Sequence, residues 1–339
     1  MLGQSTIHSF VDHHKLALKL KPILVGELHL AKRLQRPAYI FRSGIFIPII
    51  NEGSTPTRDI INTLIKNSFH EVFVFDEDLA DIKKNLESAL IKITRSLSVG
   101  DPIENGTKDL KLLSLNLGGL YRNPHNDELL MLQFQSSQNL SKFLMENRKL
   151  QPQFYESLQR ENFHFTLAQP MLSSLMLLSF LQAIHLFHDK EMENLFLASY
   201  LKDIGIAMIP DSKYDLKSLS DRDKDMFANH ADYSHDLLEG RVPLSKNYLT
   251  IIRNHHFLNH KIKDLALKRK TSKENETILG IESTLVAVFD IIVAMTSRRP
   301  FRNERSMYQT LEVIKKIMAD DYPQEFRALV VFLKQFYRN

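Results

Sequence analysis

From Asn162 to His188 the chain carries no Asp, Glu, Lys or Arg, and the middle of that stretch, Met171 to Leu181, is almost continuously apolar. A segment of this length has two destinations, a membrane span or the centre of a folded core. A span needs about twenty predominantly apolar residues, and this one is interrupted by Gln169, Pro170, Ser173, Ser174, Ser179 and Gln182. The pattern therefore predicts a buried core helix and no membrane span. His188-Asp189, at the far end, is followed by Lys190-Glu191-Met192-Glu193 and is read as surface.

The rest of the chain supports an intracellular globular protein. Charged residues at 25% and hydrophobic ones at 43% are ordinary for that class, and 339 residues suffice for two domains with sizeable cores. The absence of cysteine excludes disulfides and thiolate metal sites and permits a cytoplasmic location, which we expect. Met1-Leu2-Gly3-Gln4-Ser5 lacks the basic stretch and apolar core of a secretory signal. Nothing resembles a groove-reading nucleic-acid motif, so neither DNA nor RNA is an expected partner.

The N-terminal part has a different texture. Ile23 to Leu28 opens a strand-like stretch, Ala38 to Ile50 reads as a hairpin turning near Ser43-Gly44, and His70 to Phe75 is a further short strand. Ser54 to Asn67 begins with capping residues and continues at helical spacing. Asp78 to Ser96 predicts a helix with Leu79, Ile82, Leu86, Leu90, Ile93 and Leu97 near one face, and Gly100 to Gly106 reads as a break. Leu129 to Phe134 and Gln151-Pro152-Gln153 suggest further helices. The fold class expected is α+β: residues 1–150 form an accessory or input domain, small and mixed and then a helical linker, and residues 151–339 form an all-α domain.

Chemistry concentrates in the second part. Leu201-Lys202-Asp203-Ile204-Gly205-Ile206-Ala207-Met208-Ile209-Pro210-Asp211 is followed by Asn229-His230, by Asn254-His255-His256, by Val286-Ala287-Val288-Phe289-Asp290 and by Met295-Thr296-Ser297-Arg298-Arg299-Pro300-Phe301-Arg302. Imidazole and carboxylate are the ligands that Fe, Mn and Zn accept. As an ordered set over roughly residues 160 to 335, these segments resemble HD-GYP domains, the bacterial cyclic-di-GMP phosphodiesterases of the HD superfamily. The N-terminal pattern resembles, more loosely, the domain that often precedes such modules and implies an input or dimerisation element.

What the resemblance implies is carried over residue by residue. In the family, the Asp of the HD pair bridges two metals; one also uses an early His or Glu, the HD His and a late Asp, and the other uses three downstream histidines. The first metal then keeps only Asp203 and Asp290, while the second keeps Asp203, His230, His255 and His256. Counting back from Lys202 puts the early ligand near Pro170, where no ligand stands. The HD His has become Lys202, the phosphate-binding Lys has become Ile206, the Glu after the double histidine has become Phe257, and the GYP stretch is replaced by Leu258 to Lys263.

Lys202 has two readings. Its ammonium can pair with Asp290 or Asp203 and stand in for the first metal, or it can carry its charge to solvent along a helix. Asp290 lies in an apolar run where an unpaired carboxylate is costly, so it needs a metal, Lys202 or an arginine. A lone histidine such as His230 can instead be a hydrogen-bonded structural residue, whereas the adjacent pair His255 and His256 points to a shared polar pocket. Arg298, Arg299 and Arg302 can receive a phosphate or form a solvated helix end. Lys261, Lys263, Lys268, Arg269, Lys270 and Lys273 form either a solvated loop or a surface for an acidic partner.

The function expected is that of a catalytically impaired HD-GYP-like signalling protein acting by ligand binding or protein interaction. Its alternative is a slow mononuclear-metal phosphodiesterase acting on cyclic-di-GMP or a related phosphoester. The cofactor is one Fe, Mn or Zn ion, or the pocket is metal-free. A diguanylate cyclase or other signalling protein, a cyclic dinucleotide and a second copy of the chain are the candidate partners.

Overall fold

A computed structural model describes residues 16–67, 69–161, 163–259, 280–299 and 301–338. The chain divides into two compact units, Met1–Lys92 and Ile93–Asn339. The first is built on a four-stranded antiparallel sheet of order β1-β4-β2-β3, with β1 Leu20–Leu24, β2 Ala38–Arg42, β3 Ile45–Ile50 and β4 Glu71–Phe75. Period-two alternation sends Ile23, Ile40, Val72 and Val74 to one face. There they form a core with Leu28, Leu34 and, from helix α1 (Arg58–Lys66), Ile61 and Leu64.

Local chemistry sets the turns. Ser43 and Gly44 have φ of 52° and 82°, the left-handed pair that matches a two-residue hairpin to the twist of its strands. The stretch expected as a strand over Ile23 to Leu28 leaves the sheet after Leu24. The Leu24 N–H donates to Glu27 Oε2 at 2.7 Å, and Val25–Leu30 coils as a 3₁₀ helix.

Helix α2 spans Asp76–Ser96, with Ile82, Leu86, Leu90 and Ile93 buried at helical spacing. The break expected over Gly100 to Gly106 is shorter than its composition suggests. Asp101 accepts from the Ile103 and Glu104 N–H groups and Pro102 occupies the first turn, both start signals. Helix α3 therefore runs Pro102–Arg122 and carries Gly106 inside it. A Cβ on Gly106 would lie 2.5 Å from the Phe154 ring, so that glycine is a packing requirement and not a turn.

Helices α4 (Asp127–Glu146) and α5 (Gln151–Arg160) lead to α6, Phe165–Ile184, the predicted core helix. Among the described residues α6 is the one helix long and apolar enough to cross a membrane, and most of it is buried within the fold. It packs on α3, α5, α7 (Asp189–Leu201), α11 (Ile281–Thr296) and α13 (Pro323–Phe336); α8 spans Asp221–Ala228 and α12 spans Met307–Met318. Pro170 interrupts it, and a proline leaves the carbonyl four residues earlier without its helical donor. The Tyr121 hydroxyl of α3 fills that gap, donating to the Thr166 carbonyl at 2.9 Å. The boundary expected near residue 150 falls at the short turn Arg148–Leu150 between α4 and α5, within the second unit.

Candidate metal and anion site

Five elements bring the singled-out side chains together. Lys202 and Asp203 follow the end of α7, His230 opens α9 (His230–Leu238), and His255 and His256 lie in the turn after α10 (Lys246–Arg253). Asp290 projects from the buried face of α11, and Gln169 and Pro170 lie in the first turns of α6. The approach of α9 to the Asp203 segment depends on Gly205. A Cβ there would lie 2.2 Å from the His230 carbonyl and 2.4 Å from the Ser234 nitrogen. The Gly205 N–H instead donates to Ser234 Oγ at 2.8 Å.

Asp203, His230, His255 and His256 each offer a ligand atom within 4.8 Å of the others. Asp203 Oδ1 lies 3.2 Å from both His230 Nε2 and His255 Nε2. His230 Nε2 lies 3.3 Å from His255 Nε2 and 3.1 Å from His256 Nε2. On their outer edges His230 Nδ1 donates to the Phe227 carbonyl at 2.5 Å and His255 Nδ1 to the Ile252 carbonyl at 2.6 Å. A carbonyl only accepts, so both Nδ1 atoms carry protons, and in its neutral form each ring turns an Nε2 lone pair inward. Electron-rich atoms this close are stabilised only by a shared proton or cation. Donors about 2.0–2.1 Å from a tetrahedral ion lie roughly 3.3–3.4 Å apart, close to the spacing seen. Backbone carbonyls fixing the outer nitrogens are what metal-binding histidines require. The four residues fit one divalent ion.

The other face of Asp203 is different. Lys202 Nζ lies 2.5 Å from Asp203 Oδ2 and 2.8 Å from Asp290 Oδ1, and the lysine is fully buried. Its charge does not reach solvent; it is spent between two carboxylates. Burial alone would lower the lysine pKa, but the two aspartates win and raise it. Burial alone would likewise raise both aspartates, but Lys202 holds Asp203 well below and Asp290 below the usual carboxylate range. Burial also works against a charged His230, which the Asp203 hydrogen bond and charge nevertheless hold above its ordinary value. Burial and then the neighbouring imidazoles push His256 down to about 3 and keep it neutral.

A cavity of about 630 Å³ opens onto this cluster through Asp203, His230, His256 and Asp290. One wall holds Phe165, Gln169, Arg299, Phe301, Arg302 and Arg305; another holds Lys213, Tyr214, Lys217, Lys224 and Phe227. Arg299 and Arg302 of the predicted phosphate-binding set line the cavity, whereas Arg298 is exposed and is not part of its lining. Pro170 and Ile206 also line it, and Phe257 does not. Gln169, beside the position counted for the missing early ligand, reaches Asp290 as Lys202 does, with Nε2 donating to Oδ1 at 2.7 Å. Sequence reasoning missed Gln169 because it was matched by residue type, and an amide is not a ligand type. Arg305 lies just past the matched motif. The replaced GYP stretch lies outside the described residues from 260 onward, with Lys261, Lys263, Lys268, Arg269, Lys270 and Lys273.

A helical bundle that gathers aspartate and histidine from successive helices around one pocket defines the histidine–aspartate metal-binding class. The chain belongs to the HD family: a family model described as an HD domain matches residues 152–323, half of its length. In fold it is similar to Bd1817, an HDG"Y"P protein from Bdellovibrio bacteriovorus, with a TM-score of 0.60 and 16% identity over 93% of this chain and 99% of that one. It is thus an HD-superfamily protein with an HD-GYP-type fold. No curated protein matches it in sequence.

Proposed function

We propose that this chain is a cytoplasmic HD-GYP-like signalling protein that has lost efficient phosphodiester hydrolysis and acts by binding a phosphate-bearing ligand, a cyclic dinucleotide of bacterial signalling. The observation that carries this reading is the buried Lys202 ammonium, 2.5 and 2.8 Å from the two carboxylates that the resemblance assigns to the first metal. With Asp203 Oδ2 and Asp290 Oδ1 engaged by that ammonium, the described residues offer one cation position, made by Asp203, His230, His255 and His256. An ion held there supplies Lewis-acid polarisation of a phosphoryl oxygen and acidification of water. A second ion's share of that stabilisation is lost, and losing one such electrostatic group costs about 10²–10³ in rate.

Binding needs less. Arg299 and Arg302 each keep a buried Nε without a partner, and guanidinium groups match phosphate oxygens in geometry and charge. Phe165, Tyr214, Phe227 and Phe301 give the same cavity flat apolar surface. Calorimetric titration of cyclic-di-GMP, run beside chromatography of the recovered nucleotide, tests the reading. Saturable binding with intact nucleotide is expected; turnover at rates of an efficient hydrolase, or no binding, contradicts it.

The convergent inward-facing imidazoles favour a second reading, a slow mononuclear phosphodiesterase. In that case turnover is detectable with added iron, manganese or zinc and disappears in His255→Ala.

A further inference from the structure

Between the buried ion cluster and the basic wall of the cavity stands one neutral side chain. Gln169 donates from Nε2 to Asp290 Oδ1 at 2.7 Å and accepts at Oε1 from an Arg299 Nη2 donor. An amide has one donating and one accepting end, so these charged neighbours fix its orientation. Arg299 is further held by Phe165, whose ring centroid lies 4.9 Å from its guanidinium carbon, and by Phe301 at 6.0 Å. Backbone bonds between Arg299 and Arg302, at 2.9 and 3.1 Å, anchor the turn that carries it. Its Nε is buried and has no partner.

Asp290 keeps its carboxylate charge beside a Lys202 ammonium that it shares with Asp203, and that carboxylate attracts Arg299. A guanidinium that reached Asp290 would form a direct ion pair and withdraw from the cavity. We infer that Gln169 is the positioning residue of an anion subsite: its amide holds Arg299 off Asp290 and keeps the guanidinium available to a phosphate group. The inference rests on the reading that the cavity takes a phosphate-bearing ligand. It gives a purpose to a neutral side chain next to the position where the family's early metal ligand is expected.

Full-length wild type, Gln169→Met, Gln169→Glu and Arg299→Gln, all metal-loaded, are titrated with orthophosphate and with cyclic-di-GMP. Metal per chain and thermal midpoint are measured alongside. Met keeps the volume and loses both amide bonds, and we expect affinity for both probes to fall about tenfold, the equivalent of one charge-assisted hydrogen bond. Glu places a carboxylate against Arg299, and its loss is expected to be larger. Metal content and midpoint of Gln169→Met stay at wild-type values. Much tighter binding of the dinucleotide than of orthophosphate assigns the phosphate to a nucleotide; equal binding assigns it to a free anion, and both support the subsite.

Wild-type affinity in Gln169→Met, with binding lost in Arg299→Gln, overturns the role of Gln169 and leaves the ligand reading standing. Equal losses in the Met and Glu variants accompanied by a lowered midpoint also overturn it, because they mark a structural role. If wild type binds neither probe, or Arg299→Gln binds as wild type does, the ligand reading falls and the inference with it.

Discussion

On one side of Asp203 the imidazoles of His230 and His255 meet its Oδ1, with His256 against His230; on the other a lysine ammonium meets its Oδ2. Both sides answer the same requirement, since a carboxylate held out of water needs a positive partner. The histidine side leaves that partner exchangeable, as four donors converge where a cation or proton can sit. The lysine side supplies it through a covalent bond to the chain, with a second carboxylate, Asp290, sharing the charge. Asp109 of α3 is a third case, fully buried with neither oxygen hydrogen-bonded. Burial raises its pKa to about 8, so it stays protonated at neutral pH. Burial alone does not set the state of a carboxylate here: a cation in reach keeps Asp203 and Asp290 charged, and its lack keeps Asp109 neutral.

The hardest test of that contrast removes the internal cation. Lys202→Met leaves two buried carboxylates uncompensated and should cost about 3–5 kcal/mol in urea unfolding at neutral pH; a loss below about 1 kcal/mol would mean that the ammonium is not their counter-charge. Gly205→Ala attacks the histidine side by forcing α9 away from the Asp203 segment. We expect a loss of roughly 3 kcal/mol, together with weaker metal retention on dialysis.

Asp109 is expected to give the next effect. Its folded pKa lies above the model-peptide value of 3.8, so the folded chain binds more protons and stability falls as pH rises from about 4 to about 8. Asp109→Leu should flatten that slope and gain on the order of 2 kcal/mol near pH 8, read from denaturation curves at several pH values. The smallest effect belongs to the exposed pair of Arg253 and Asp232 at 2.6 Å, half accessible on both sides. Arg253→Ala should cost under about 1 kcal/mol and less in high salt; a larger loss would blur the distinction between buried and exposed ion pairs.

Much of the architecture was legible because it rests on local rules. The charge-free stretch ending at His188 reads as a core helix because polar residues interrupt it, Ser43-Gly44 reads as a tight turn, and Ile82, Leu86, Leu90 and Ile93 keep helical spacing over about three turns. Reading failed at Glu27, which accepts from the Leu24 N–H three residues back and turns the chain out of the sheet, and where distant contacts decide, as at Gly106, which is small because Phe143 and Phe154 leave no room. In the site, the order of Asp203, His230, His255, His256 and Asp290 is visible in the chain. Which way Lys202 points is not, because a lysine at the end of a helix can reach either solvent or the pocket. Gln169 was invisible for a related reason, since its value lies in the orientation of an amide between partners 121 and 130 residues away.

Metal content per chain tests the account most directly, measured by elemental analysis on wild type and Lys202→His after loading with iron, manganese or zinc and without chelator. One ion is expected in wild type, lost in His255→Ala, and a second ion in Lys202→His once the internal cation is replaced by a ligand. Two ions in wild type, none in wild type, or an unchanged count in Lys202→His would contradict it.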